Sequence, residues 1–276
     1  MRPMLLVAGK EIREGMRNRW VVAATGLLAA LALTLAFLGA APAGRVGAGA
    51  LEVVVVSLSS LSIFLLPLIA LLISHDAVVG EMERGTMLLL LAYPVARWQV
   101  VMGKFLGQVA ILALATVLGY GAAALALAVG GQEVGEAAWW AFGQMVGSSV
   151  LLGAVFIALG MLVSAIVRDR GTAAGIAVGL WLLMVLIWDM ALLGVLVADA
   201  GQRITAGMVD AALLLNPADA YRLLNLSGLP GLGELSGMAG VAEGSGLTPP
   251  VLLAALLAWV LVPLAAAAAA FARREL

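Results

Sequence analysis

His75-Asp-Ala-Val-Val-Gly-Glu-Met-Glu-Arg-Gly-Thr-Met-Leu-Leu-Leu-Leu-Ala-Tyr-Pro-Val-Ala-Arg97 lies between two long apolar stretches, and the chain runs on through Trp98 to Lys104. Asp76, Glu81, Glu83, Arg84, Arg97 and Lys104 are concentrated here in an otherwise greasy sequence. Each such charge costs ~2.5 kcal/mol or more at the centre of a bilayer, which places the stretch at or outside a membrane face. Gly85 separates an acidic turn from a leucine run, and Pro94 suits a first helical position, where its missing N–H costs nothing. The spacing predicts a short helix, a bend and a further helix.

The rest of the chain supports a membrane setting. Of its 276 residues 64% are hydrophobic and 11% charged, with a mean hydropathy of +1.12, against roughly 45–50% and about 25% in soluble domains. Without cysteine there are no disulfides, thiolate metal sites or cysteine nucleophiles. No long stretch has the composition of a soluble domain, so chemistry that needs one must come from partners.

Residues 1–19 place Leu5, Ala8, Ile12 and Met16 at helical spacing among Lys10, Glu11, Arg13, Glu14, Arg17 and Arg19. This reads as an amphipathic helix on the membrane surface. Residues 20–276 read as one all-α transmembrane domain with spans at about 20–39, 53–74, 98–129, 137–167, 171–196 and 251–271. Ala41-Pro42-Ala43 has the look of a signal-peptidase site, but the charged region before it is too long, so the first span is expected to be an uncleaved anchor. In span two, Ser57, Ser59, Ser60 and Ser62 are small hydroxylated residues suited to close helix packing or to lining a path, with Pro67 as a kink. In span five, Gly171, Gly175 and Gly179 share a helix face, expected to be a packing site first and a subunit interface second. The segment 198–250 carries Asn216-Pro-Ala-Asp219, an N-cap, a proline and an acid that predict a short helix from Pro217 to Leu226, followed by a Gly-rich connection.

Orientation follows from the positive residues. With the N-terminus inside, 12 of the 15 lysines and arginines fall on the cytoplasmic side, leaving Arg45, Arg203 and Arg222 outside. Both termini and the loop 75–97 are then cytoplasmic, in a bacterial inner membrane, and 198–250 is periplasmic.

Gly80-Glu-Met-Glu-Arg-Gly-Thr-Met, the following leucines, Pro94-Val-Ala-Arg-Trp and Gly103-Lys104 resemble the first cytoplasmic loop of ABC-2 type transporter permeases. Lys10-Glu-Ile-Arg-Glu14 with Arg17-Asn-Arg19 resembles that family's N-terminal helix. The resemblance implies a coupling helix that docks on a separate ATPase subunit through Glu81, Glu83, Arg84, Gly85 and Thr86. It also implies two copies of the ATPase and a second copy of this chain, with spans two and five lining a path. Leu214 to Leu226 is similar to the matching segment in the permease of the transporter that helps mature nitrous-oxide reductase. That similarity implies a periplasmic β-helical partner, for which Asn216, Asp219, Tyr221 and Arg222 are candidate contacts, and export of a sulfur- or copper-related species. An exporter of a lipid, drug or ion is the alternative.

No Gly-x-x-x-x-Gly-Lys-Ser/Thr phosphate loop occurs, so ATP and Mg belong to the partner and this chain is expected to bind no cofactor and to catalyse nothing. Met184 and Met190 are six residues apart and share no helix face; methionine here reads as core filler rather than as a copper ligand. His75, the single histidine, suits a capping or interfacial role. Asp189, near the outer end of span five, is either functional or close enough to the interface to reach water. An intramembrane hydrolase would need a nucleophile–base pair or a second acid beside Asp189, and none is visible in the sequence. Nothing points to nucleic acid; membrane lipid is the expected surrounding.

Overall fold

The computed structural model describes residues 2–17, 19–38, 50–129, 135–199, 203–227 and 247–274, and these are helical apart from their connections. Arg45, the Ala41-Pro42-Ala43 stretch, residues 130–134 and the Gly-rich connection expected at 228–246 lie outside the described residues. Helix α1 (Arg2–Met16) leads into α2 (Arg19–Leu38), followed by α3 (Ala50–Ser74), short α4 (Val79–Glu83) and α5 (Thr86–Leu91), and the long α6 (Arg97–Val129) and α7 (Glu136–Ile166). Then α8 (Arg170–Leu182) runs through a π-helical turn (Leu183–Ile187) into α9 (Trp188–Asp199), and α10 (Ala206–Leu214), α11 (Pro217–Ser227) and α12 (Pro249–Arg273) complete the chain. Among the described residues five helical stretches are long and apolar enough to cross a membrane; α1 and α2, bent by 67° at their junction, make a sixth when taken as one broken span.

Local chemistry sets several of these ends. Asp169 caps α8, its carboxylate accepting from Thr172 N and Thr172 Oγ1, both at 2.7 Å, and these bonds hold its carboxyl below the usual range. Gly85 takes φ +71, the left-handed region that spares a glycine any Cβ clash, and turns α4 into α5. The expectation that Pro94 opens the next helix is corrected. That helix begins at Arg97, where Gln99 Oε1 accepts from Ala96 N at 3.1 Å and fixes the start three residues on. His75 Nδ1 donates to Leu72 O at 3.0 Å, capping the end of α3.

Helix α7 is the hub, packed most extensively against α3 and α12. It approaches α3 closely because a Cβ on Gly160 would overlap Ser74, and α6 because one on Gly153 would overlap Leu112. Helix α6, with 33 residues, is about 50 Å long, well beyond the ~30 Å hydrocarbon layer. It is along the first turns of this helix that α1 packs. A Cβ on Gly103 would sit 2.7 Å from Met4 O and one on Gly107 2.5 Å from the Glu11 Cβ, while Gly15 meets Ile111. Contacts advance together along both helices, so one face of α1 is bound to α6, while Leu5, Leu6 and Met16 stay exposed for a membrane surface.

Candidate functional site

The loop 75–97 is held from three directions. Val78 N and Val79 N, at the start of α4, both donate to Ser164 Oγ on α7, at 2.9 and 3.1 Å. From the α7–α8 connection, Arg170 Nη2 pairs with Asp76 Oδ2 at 2.7 Å and Arg170 N donates to Glu83 Oε1 at 2.9 Å. Glu81 Oε1 receives Lys104 Nζ of α6 at 2.8 Å and Lys10 Nζ of α1 at 3.0 Å, and Lys104 also reaches Glu11 at 2.8 Å. Glu81 is 6% exposed and Lys104 2%. The expectation that Glu81 contacts an ATPase is thus corrected: a carboxylate so placed ties the loop to α1 and α6. Glu83, Arg84, Gly85 and Thr86 do face outward, joined by Leu88 and Leu89, the latter 70% exposed. Apolar leucines beside an arginine on an outward-facing knuckle suit a protein partner better than water.

A second constellation lies toward the opposite end. Helix α11 packs among α3, α7, α12 and the π turn instead of lying on the surface. Asn216 Nδ2 donates to Met184 O at 2.8 Å, inside the π turn, and Asn216 Oδ1 accepts from Ala218 N at 3.0 Å. The wider turn leaves backbone acceptors without their usual helical donor, and Asn216 supplies one. Tyr221 OH meets Ser149 Oγ at 2.8 Å, and Ser148 Oγ donates to Asn225 Oδ1 at 3.1 Å. Arg222 bridges two acids, Nη1 to Asp219 Oδ1 at 2.9 Å and Nη2 to Asp189 Oδ2 at 2.7 Å. Burial first, then the neighbouring Asp189 charge, push the Asp219 carboxyl up to about 7 against the pull of Arg222.

Two expectations change here. Asn216, Asp219 and Tyr221 are buried and Arg222 is half-buried, so they hold α11 in the bundle and are not a free face for a periplasmic protein. Asp189 does have a partner acid, Asp219, thirty residues on in sequence and brought back by α10 and α11. Sequence spacing could not show that approach.

The whole chain has known counterparts. Residues 5–276 match the model of the ABC-2 family transporter protein. The chain is 46% identical over 270 residues, 97% of each chain, to the "Probable ABC transporter permease protein NosY" of Stutzerimonas stutzeri. It is 50% identical over 218 residues, 78% of each, to the protein of the same name from Pseudomonas aeruginosa. This chain belongs to the ABC-2 transporter family. It is a multi-pass permease subunit, and the family implies an ATPase subunit as its partner.

In this permease the remaining site candidates fall apart from both constellations. Ser60 is exposed and returns its hydroxyl to Val56 O at 3.0 Å; Ser57 is half-buried. It is Ser62 that crosses between helices, to Tyr120 OH at 2.7 Å. Among the described residues the glycine face of span five has no close neighbour: a Cβ on Gly175 or Gly179 would meet no described atom within 4 Å, and one on Gly171 only Asp169. Of the two roles expected for this face, packing and a subunit interface, the described residues supply no packing partner for Gly175 or Gly179. Among the described residues no three His, Cys, Asp or Glu side chains gather so as to hold a metal ion. Sequence reading missed Ser164, Arg170 and the Lys104–Glu81–Lys10 network. Lys104, a cation inside a helical apolar pattern, signalled that a carboxylate had to be found.

Proposed function

We propose that this permease pairs with a second copy of itself and is driven by two copies of a separate ATPase, which grip each subunit at the knuckle from Glu83 to Leu89. The observation that carries the proposal is the exposed Arg84, Leu88 and Leu89 on a loop anchored to α1, α6, α7 and α8. A push on such a knuckle cannot be absorbed locally, because Ser164 and Arg170 pass it to spans four and five and Glu81 passes it to span three. Nucleotide binding and hydrolysis, with their Mg, belong to the partner; this chain contributes the moving path. Both termini face the cytoplasm of a bacterial inner membrane, and the 12 positive residues on that side support this.

The likeness to two NosY permeases supports a more particular role, in maturing the copper–sulfur site of nitrous-oxide reductase by exporting a sulfur- or copper-related species with a periplasmic β-helical protein. Burial of Asn216 to Arg222 moves that protein's contacts elsewhere on the outer face. Copurification from native membranes tests the reading. Recovery of an ATPase together with a periplasmic protein is the expected result; an ATPase alone would indicate an exporter of other cargo. Replacing Arg84 by Glu and Leu89 by Ser should at least halve ATPase recovery while the permease itself still purifies, and full recovery would remove the knuckle from the interface.

A further inference from the structure

We propose that Asp219 and Asp189 form a proton-binding site, in which one proton taken from the outer aqueous side sits on Asp219 Oδ2 and latches α11 to α9. The inference rests on the geometry of this chain alone and is independent of what the permease carries.

Among the described residues Arg222 is shared between two carboxylates, so these three groups carry one net negative charge when both acids are ionised. The Asp219 side chain is 2% exposed, and its Oδ2, buried, has no hydrogen-bond donor. An ionised carboxylate oxygen left dry and without a donor is costly. Asp189 shares the Arg222 guanidinium with Asp219 and can only accept while ionised, so two charged carboxylates on one cation cannot satisfy each other. A proton on Oδ2 cures both faults: it makes Asp219 a donor to Asp189 and brings the cluster to neutrality. Asp189 is 28% exposed and supplies the way to water.

Among the described residues, the elements packed against α11 offer no other counter-charge. Of the elements packed against α11, α7 presents Gln144, Ser148 and Ser149, α12 presents Trp259, and the described side chains of α3 are uncharged. Glu136 and Arg273 mark the terminal turns of α7 and α12, the π turn is wholly apolar, and the ionisable residue of α10 is another acid, Asp210. Among the described residues, then, Arg222 is the cation on these elements that meets the acids. The raised titration of Asp219, near 7, agrees with a group that is protonated in part at neutral pH. A protonated pair ties α11 to the base of α9; a doubly ionised pair repels across the same contact. The folded protein holds this proton more tightly than a solvated aspartate does. The stability it contributes is therefore present at low pH and lost as pH rises through about 7.

Infrared difference spectra of the purified permease–ATPase complex in lipid nanodiscs, recorded while pH is stepped from 5 to 9, test the site. The expected result is a protonated-carboxyl band that disappears near neutrality, is absent in Asp219→Asn and moves to lower pH in Asp189→Asn, where the repelling charge is gone. A wild-type complex with no such band near neutral pH overturns the proposal, as does a band that survives Asp219→Asn. Should Asp219→Asn fail to assemble, Asp189→Asn decides: an unmoved titration overturns the site, and a downward shift supports it.

Discussion

Val78 and Val79 direct their backbone N–H groups at one hydroxyl, Ser164 Oγ, and all three groups are buried. The start of a helix leaves such donors without internal partners, and α4 is too short to compensate elsewhere. Ser164→Ala would strand both, so a loss of about 1–3 kcal/mol is expected, measured as a lower midpoint of thermal unfolding in detergent. The larger effect should fall on coupling: the complex should still hydrolyse ATP but with weaker transport per ATP, since the knuckle would lose its bond to span four. Unchanged stability and unchanged transport per ATP would make Ser164 a bystander. Nothing in the sequence marks this serine, because its partner is a backbone 86 residues away. Glu81 was easier to single out and harder to interpret. Its charge is plain in the sequence, yet its burial depends on where α1 crosses α6, and burial turns a docking residue into an anchor.

At the scale of elements, glycines decide which helices can touch. Apolar stretches of about twenty residues announce spans without any structure, because length and hydropathy alone satisfy the bilayer. Close approach is not announced in the same way, since Gly103, Gly107, Gly153, Gly175 and Gly179 look alike in sequence. The first three lie under a neighbouring helix, whereas among the described residues nothing lies within 4 Å of a Cβ on the last two. Gly103→Leu should lift α1 from α6 and separate Glu11 from Lys104. Because the chain has no cysteine, a single Val7→Cys reports the event: Val7 is 4% exposed, so labelling by a water-soluble maleimide should rise several-fold when Gly103→Leu is added. Equal labelling with and without the leucine would show that α1 finds another seat. The π turn is likewise silent in sequence. Leu183 to Ile187 is ordinary apolar helix by composition, and only Asn216, arriving from a distant helix, gives the widened turn its partner.

At the scale of the molecule, burial is uneven in a way that one chain cannot resolve. Helix α7 is enclosed on nearly all sides, whereas α8 buries only Ala173 and Ala177 and α9 buries none of its residues. Lipid tolerates exposed leucine and isoleucine, so exposure alone is no argument for a partner. The open face with Gly175 and Gly179 adds one, because small residues gain nothing against lipid but allow helix backbones to approach. If two copies meet there, bulk at that face should separate them without harming the subunit. Gly175→Leu places its side chain where no described residue has an atom within 4 Å of the Cβ, so expression, ATPase binding per subunit and thermal stability of the isolated permease should stay near wild type. The mass in nanodiscs should fall from two copies to one. A dimer that persists in Gly175→Leu would move the interface to another face and leave this one to lipid, while a collapse in expression would show that the glycine serves the fold of the single chain after all.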